Sequence, residues 1–325
     1  MALSVKGATA RKHHYVPQFY LRGFIGEKDM LLVFDHETKK TYRSKPHGVA
    51  AQRDFNRVEV EGMDANAVEK LLAAFEGETA PHLETVIAKH SIADEKDKAA
   101  VINLMAAMTL RNPKRRAAIG KVIENFTLSF LGKKENFEAY VAEMKKQGRD
   151  VDLTLEQVRS GLAEMNFAPS KESIMSVEIN HHDQAAERLW NKKWQLVIAS
   201  DDSGGFVTTD DPVTIRWTDG QEHPDRPGLA ENNCEIIFPL STKLALRGSS
   251  EGEEGVVNAD AATVARINSH IIDNASRQVF AHDHSFKFAR GGPVELKSGA
   301  TLSQDERFLS AGKPAEGKIV PLKAE

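Results

Sequence analysis

The chain has 325 residues, of which 41% are hydrophobic and 28% charged, and its formal net charge is −4. That length supports a sizeable core without metal or disulfide staples, and the acidic balance excludes a protein that coats nucleic acid with its whole surface, since such binding needs many Lys and Arg to neutralise phosphates. No apolar run approaches the roughly 20 residues that cross a bilayer, which excludes a helical membrane span.

Residues 1–12 are polar and basic without periodicity and read as a flexible lead. From Val16 to Phe24 the segment fits a short helix, with Pro17 tolerated in its first turn and Gly23 able to stop it. Met30–Phe34 and Thr41–Ser44 flank a polar stretch and read as a hairpin, and a third strand is expected at Val58–Val60. From about 64 to 191 the apolar residues recur at three and four rather than two, the mark of helices. Val68, Leu71, Leu72, Phe75, Thr79, Leu83, Val86 and Ile87 form one stripe, and Val101, Leu104, Met105 and Met108 a second. Further helices are expected near 117–131, 135–146, 155–165 and 171–190, with Pro113 separating two of them.

After Trp190 strands return, at 194–199, 206–208, 213–217, 235–238 and 244–246, divided by Gly- and Asp-rich turns. One more amphipathic helix is expected over 260–276, and beyond about 291 the periodicity is lost in a loosely ordered tail. This order predicts an α+β fold: a mixed or antiparallel sheet built from N- and C-terminal strands, a central all-helical block, and one domain over 13–290. An N-terminal helical half with a C-terminal β half is the alternative. The single cysteine, Cys234, and an N-terminus lacking an apolar signal stretch point to a reducing compartment, the cytoplasm.

The stretch Lys12-His-His-Tyr-Val-Pro-Gln-Phe-Tyr-Leu-Arg-Gly-Phe24 resembles the opening of the domain of unknown function 4238 family. The resemblance continues through Phe206–Val213, Phe238–Ser241 and the late helix with Asn268. It implies one kind of module containing His13, His14 and Asp210 to Pro212, and it implies no activity and no catalytic residue.

Chemistry picks out candidates of its own. Of the adjacent pair His13 and His14, either one imidazole acts as general base or metal ligand while the other satisfies backbone groups, or both rings hydrogen-bond within the protein and pin the N-terminal segment. The pair followed closely by Pro17 is similar to the core of histidine–metal nucleases, but only a short polar lead precedes it and no compact ligand pair follows. Glu76 and Arg111 stand beside the apolar stripes of successive helices. They form either a structural ion pair or a base beside an anion-binding guanidinium. Asp210 and Asp211 end a short strand, where acidic groups bind hard cations or simply make a turn. His181 and His182 lie on the same helix, where His182 shares an apolar face with Met175, Ile179, Ala186 and Trp190 and reads as a core histidine; Asn268 reads as a backbone bridge or a substrate contact, and Cys234 as inert.

Phosphate loops, paired-Cys zinc patterns, nucleophile elbows and His-Glu-x-x-His helices are absent from the sequence. The leading expectation is a phosphodiester hydrolase, nuclease-like and of the kind that serves as a toxin or defence effector. In it His13 or His14 is the base, with Glu76 and Asp210 as acidic partners. Arg111, Arg115 and Asn268 hold substrate, and a divalent Mg, Mn or Zn ion sits on His14, Asp210 and Asp211. Nucleic acid or a nucleotide would meet the local basic run Arg111, Lys114, Arg115, Arg116 and Lys121, which otherwise is a solvated helix face. The competing expectation is a non-catalytic module that binds a ligand or a protein.

Overall fold

The computed structural model describes residues 11–59, 62, 64–164, 168–221, 223, 226–290 and 295–310. The expected lead up to residue 10, the tail from 311 and the end of the strand expected at Val58–Val60 lie outside these residues. The chain divides into two compact units, 1–112 with 182–325, and 113–181.

The first unit begins with β1 (Lys12–His14), α1 (Gln18–Leu21), β2 (Leu31–Asp35), β3 (Lys40–Ser44) and β4 (Ala51–Arg53), followed by α2 (Ala67–Lys89) and α3 (Glu95–Leu110). Asp94 starts α3 by accepting the backbone N–H groups of Lys96 and Asp97, which helix geometry otherwise leaves without partners. The second unit holds α4 (Pro113–Leu131), α5 (Lys134–Lys146), α6 (Leu155–Glu164) and α7 (Lys171–Trp190) up to His181. Pro113 stands at the first position of α4, where its missing N–H costs nothing. Returning to the first unit, the chain forms β5 (Lys193–Ala199), β6 (Thr208–Thr209), β7 (Thr214–Trp217), β8 (Cys234–Pro239), β9 (Leu244–Ser249) and β10 (Gly255–Ala259). Then come α8 (Ala261–Asn274), β11 (Gln278–Ala281), β12 (Lys287–Arg290), β13 (Glu295–Ser298) and α9 (Glu306–Ser310).

Two sheets carry the first unit. One has five strands in the order β10-β5-β9-β8-β7, and the other has four in the order β3-β2-β11-β6. All pairings are antiparallel except β10 with β5. The four-stranded sheet joins N-terminal strands to C-terminal ones, with Val33 opposite Phe280. The protein is therefore α+β with a helical block, its strands distributed over several sheets.

The inner strands of both sheets bury both faces, while the edge strands β3 and β10 are largely exposed. Successive side chains of β2 alternate between two apolar clusters, Leu31 and Val33 entering one and Leu32 and Phe34 the other. Strand β8 does the same with Ile236 and Phe238 against Ile237. Tyr20 stacks on Phe238 with ring centroids 5.2 Å apart, and its buried hydroxyl donates to Pro239 O at 2.8 Å. In the second unit, Arg116 of α4 forks onto Glu178 of α7, with nitrogens 2.6 and 2.8 Å from the two carboxylate oxygens.

Several expectations change. Two unexpected N-terminal strands, Lys12–His14 and Ala51–Arg53, pair with each other, whereas Val58 and Glu59 belong to no strand. The front of the α2 stripe is not buried: Leu71 is 70% exposed, and Thr79, Leu83 and Val86 carry the packing. On α7 the buried positions after His181 are Ala185 and Leu189, while Ile179 and Trp190 face outward and His182 is only partly covered. Residues 295–310, expected to be loose, form β13, a 3₁₀ turn and α9, because Leu302 and Phe308 are buried in the cluster beneath α8. Arg116, placed by sequence in a solvated basic face, is buried with its carboxylate partner.

Candidate functional site

Strand β1 sends its adjacent histidines to opposite sides, as strand geometry requires. His13 is fully buried; its Nδ1 accepts the backbone N–H of Asn56 at 2.9 Å and lies 3.7 Å from a Glu69 carboxylate oxygen. With Nδ1 acting as acceptor, the neutral ring carries its proton on Nε2. The Asn56 side-chain amide donates to the same Glu69 oxygen at 2.8 Å. His14 is partly buried, with Nε2 3.3 Å from His47 O and Nδ1 3.4 Å from the Gln18 amide. Burial pushes the His14 pKa down, opposed in part by the His47 carbonyl and by the charge of Glu69.

Glu69 and Glu76 lie seven residues apart on α2, two turns along one face. Burial pushes the Glu76 carboxyl up to about 7; the Arg111 guanidinium opposes that shift and the Glu69 charge adds to it. Arg111 caps the C-terminus of α3, which packs directly on α2. His13, His14, Glu69, Glu76 and Arg111 thus share one electrostatic neighbourhood, although the sequence places them on three elements. Arg115 belongs to the second unit.

The acidic pair after β6 is held differently. Asp210 is buried, and its Oδ1 accepts the backbone N–H groups of Ser276 at 2.9 Å and Arg277 at 3.2 Å. Burial pushes its pKa up to about 7, against the pull of these backbone donors and with a further push from Asp211. Tyr15, next to His14 in sequence, feels the Asp210 charge, and burial above all raises its hydroxyl pKa. Asp211 accepts the side-chain amide of Asn112 at 3.0 Å, and its backbone carbonyl accepts the Asn274 amide at 2.6 Å. Asn112 directly follows Arg111, so a single turn contributes to both halves of the region.

A divalent ion on His14, Asp210 and Asp211 would meet carboxylate oxygens that already have hydrogen-bond donors. Among the described residues no three His, Cys, Asp or Glu side chains come together in a way that could hold one. The carboxylate oxygens Asp210 Oδ1 and Asp211 Oδ1 are already engaged by backbone or amide donors.

Asn268 is fully buried and bridges backbone. Its amide donates to Gly205 O and Lys287 O, both at 2.9 Å, and its Oδ1 accepts Val207 N–H at 3.1 Å. Gly205 makes that approach with a φ of +83°, and a Cβ there would lie 2.6 Å from Thr242 O. Cys234 has a neighbour the sequence did not reveal, Lys192 Nζ at 3.8 Å, yet burial outweighs that charge and raises the thiol pKa.

Sequence reasoning missed Glu69, Asn56 and Asn112. For Glu69 the signal was available, because extending the face of Glu76 back by two turns reaches it. Asn56 and Asn112 lie in turns, where nothing periodic marks them.

The family model described as Protein of unknown function (DUF4238) matches residues 12–285, a span that contains β1, α2, α3 and the Asp210–Asp211 turn. No curated protein and no solved structure matches the chain.

Proposed function

We propose, from the premise that the chain belongs to the DUF4238 family of proteins of unknown function, that it is a hydrolase of phosphodiesters working by general acid–base catalysis at Glu76. The observation that carries this reading is the Glu76 carboxyl, raised by burial to about 7, with the Arg111 charge opposing the rise and the Glu69 charge adding to it. A carboxyl that titrates near neutrality is present in both forms, so it can take a proton from an attacking water and return it to a leaving oxygen. Arg111 supplies a planar fork of donors suited to a phosphate. An arriving phosphate would offset the charge of Arg111 and raise the Glu76 pKa further, favouring its acid form as substrate binds.

His13 has a different role here from the one its sequence suggested. Its Nδ1 accepts a backbone proton, so the neutral ring serves as an N–H donor that orients, and Glu69 fixes the electrostatics between the imidazoles and Glu76. The basic run contributes less than its sequence implied, since the Arg116 charge is matched by Glu178. No step is routed through a metal.

The test is hydrolysis of bis(4-nitrophenyl) phosphate and of single- and double-stranded oligonucleotides by the purified protein, beside Glu76→Gln and Arg111→Ala. Glu76→Gln should lower kcat by roughly 10²–10⁴-fold, the range for loss of a general acid–base group. It should also erase an inflection of the pH–rate profile near 7, whereas Arg111→Ala should act mainly through KM. Absence of cleavage, or cleavage untouched by Glu76→Gln, overturns the assignment.

A second reading, a non-catalytic ligand- or protein-binding module, is favoured by the internal use of Asp210 and Asn268, whose polar groups engage backbone. It expects binding of an oligonucleotide or other ligand without turnover.

A further inference from the structure

Outside the neighbourhood of Glu76, the first unit contains a pocket of about 400 Å³ lined by β7, the chain that follows it, α8 and α9. That volume falls within the roughly 300–1,000 Å³ of small-molecule sites and exceeds what an inorganic anion needs. Its lining includes Thr214, Arg216, Trp217, Arg226, His270 and Arg307.

The charge is one-sided. Among the described lining residues, Arg216, Arg226 and Arg307 stand with one carboxylate, Asp273. Arg307 holds Asp273 at 2.8 Å, and Arg226 donates to Asn274 and to the Asp273 carbonyl. Arg216 is steadied from behind by Glu235 at 2.7 Å. These contacts orient the guanidinium groups while leaving donors of their forks for a ligand.

Among the described residues, two polar side chains of the pocket make no hydrogen bond. Thr214 is 3% exposed, and its hydroxyl makes no hydrogen bond among the described residues. A buried hydroxyl without a partner is costly, and a native fold that keeps one calls for an explanation. The His270 ring also makes no hydrogen bond to any described residue. Burial, with Arg216 and Arg307 adding to it, pushes its pKa down to about 4 against Glu235, so it is a neutral donor and acceptor at pH 7. The Trp217 ring lies flat on His223, with centroids 4.1 Å apart and planes 20° from parallel, giving one wall an aromatic surface.

We infer that this pocket binds a small organic phosphate of mononucleotide size, the arginines and the Thr214 hydroxyl taking the phosphate and the Trp217–His223 wall taking the flat ring. Bidentate guanidinium groups match phosphate oxygens, and aromatic surfaces hold bases by stacking. The site shares no residue with the Glu76 neighbourhood, so it stands or falls separately from the proposed hydrolysis.

The experiment is calorimetric titration of the full chain with adenosine 5′-monophosphate, adenosine and inorganic phosphate, with tryptophan fluorescence followed in parallel. Saturable binding of the monophosphate is expected, weaker binding of inorganic phosphate, and none of adenosine. Thr214→Val and Arg307→Ala should each weaken the monophosphate about tenfold, the scale of one charge-assisted hydrogen bond, and Trp217→Phe should abolish the fluorescence change. Glu76→Gln should bind as the parent does. Thr214→Val removes an unsatisfied group and should leave Tm unchanged or raised. No saturable binding of the monophosphate overturns the inference, as does a Thr214→Val protein of higher Tm and unaltered affinity, which would make the hydroxyl a packing defect only.

Discussion

Asp210 is visible in the sequence, but the partners that hold it are not. Its place at the end of a short strand, before Asp211 and Pro212, is plain in the sequence; the backbone N–H groups of Ser276 and Arg277 that it accepts come from 66 and 67 residues away. Nothing local announces them. The folded Asp210 carboxyl titrates near 7, whereas an unfolded one titrates near 3.9. Between these values the unfolded state loses its proton and the folded state keeps it, so the stabilising contribution present below about pH 4 is lost as pH rises to about 7. Asp210→Asn keeps the acceptor oxygen and removes that titration. Urea unfolding at pH 4, 5.5 and 8 should therefore show the variant gaining on the parent with rising pH, by more than about 1 kcal/mol overall. Parallel pH dependences would mean that Asp210 is ionised in the fold. Glu76 was legible for a better reason: a carboxylate beside an apolar stripe is half-buried wherever that helix packs. Its second neighbour, Glu69, lay on the same face and went unread.

At the scale of elements, helices and buried strands were legible because each carries its own period or apolar run. Strands β5 and β8 stand out since both of their faces are buried and their sequences are almost continuously apolar. Strands β10 and β13 did not stand out, because they are exposed along most of their length and owe their shape to the partner strand. Ion pairs between elements are equally silent in sequence. The Arg116–Glu178 fork joins α4 to α7 inside the second unit, both side chains buried. Removing one partner strands a buried charge, so Arg116→Ala and Glu178→Ala should each cost about 3–5 kcal/mol in that unit's unfolding. The double replacement Arg116→Met with Glu178→Leu should recover most of the loss. A double-mutant cycle by thermal unfolding measures both, and an Arg116→Ala cost below about 1 kcal/mol would mean the pair is solvated.

The whole molecule was legible as α+β with helices between strands, and the sharing of one sheet by distant strands was expected; the division into two units was not. No composition shift marks residue 112 or 182, since helices lie on both sides of each boundary. The units differ in how much they bury. All six residues of β8 are buried, whereas α5 has no buried residue. Amide exchange followed by mass spectrometry should therefore place β5, β8 and β9 in the slowest class and α5 among the fastest, because opening free energy follows buried apolar contact. Uniform protection across both units would contradict that. The first unit has a further property that concerns its birth on the ribosome. Its four-stranded sheet lays β11 against β2, with Gln278 bonded to Asp35 across 243 residues of chain. At roughly 5–20 residues per second of synthesis, β2 waits on the order of 10–50 s for its neighbour. During that interval an apolar hairpin has an unpaired edge, so a transcript that stalls late would release a sticky fragment. The order of translation, and any chaperone that shields the nascent hairpin, becomes part of how this sequence reaches its fold.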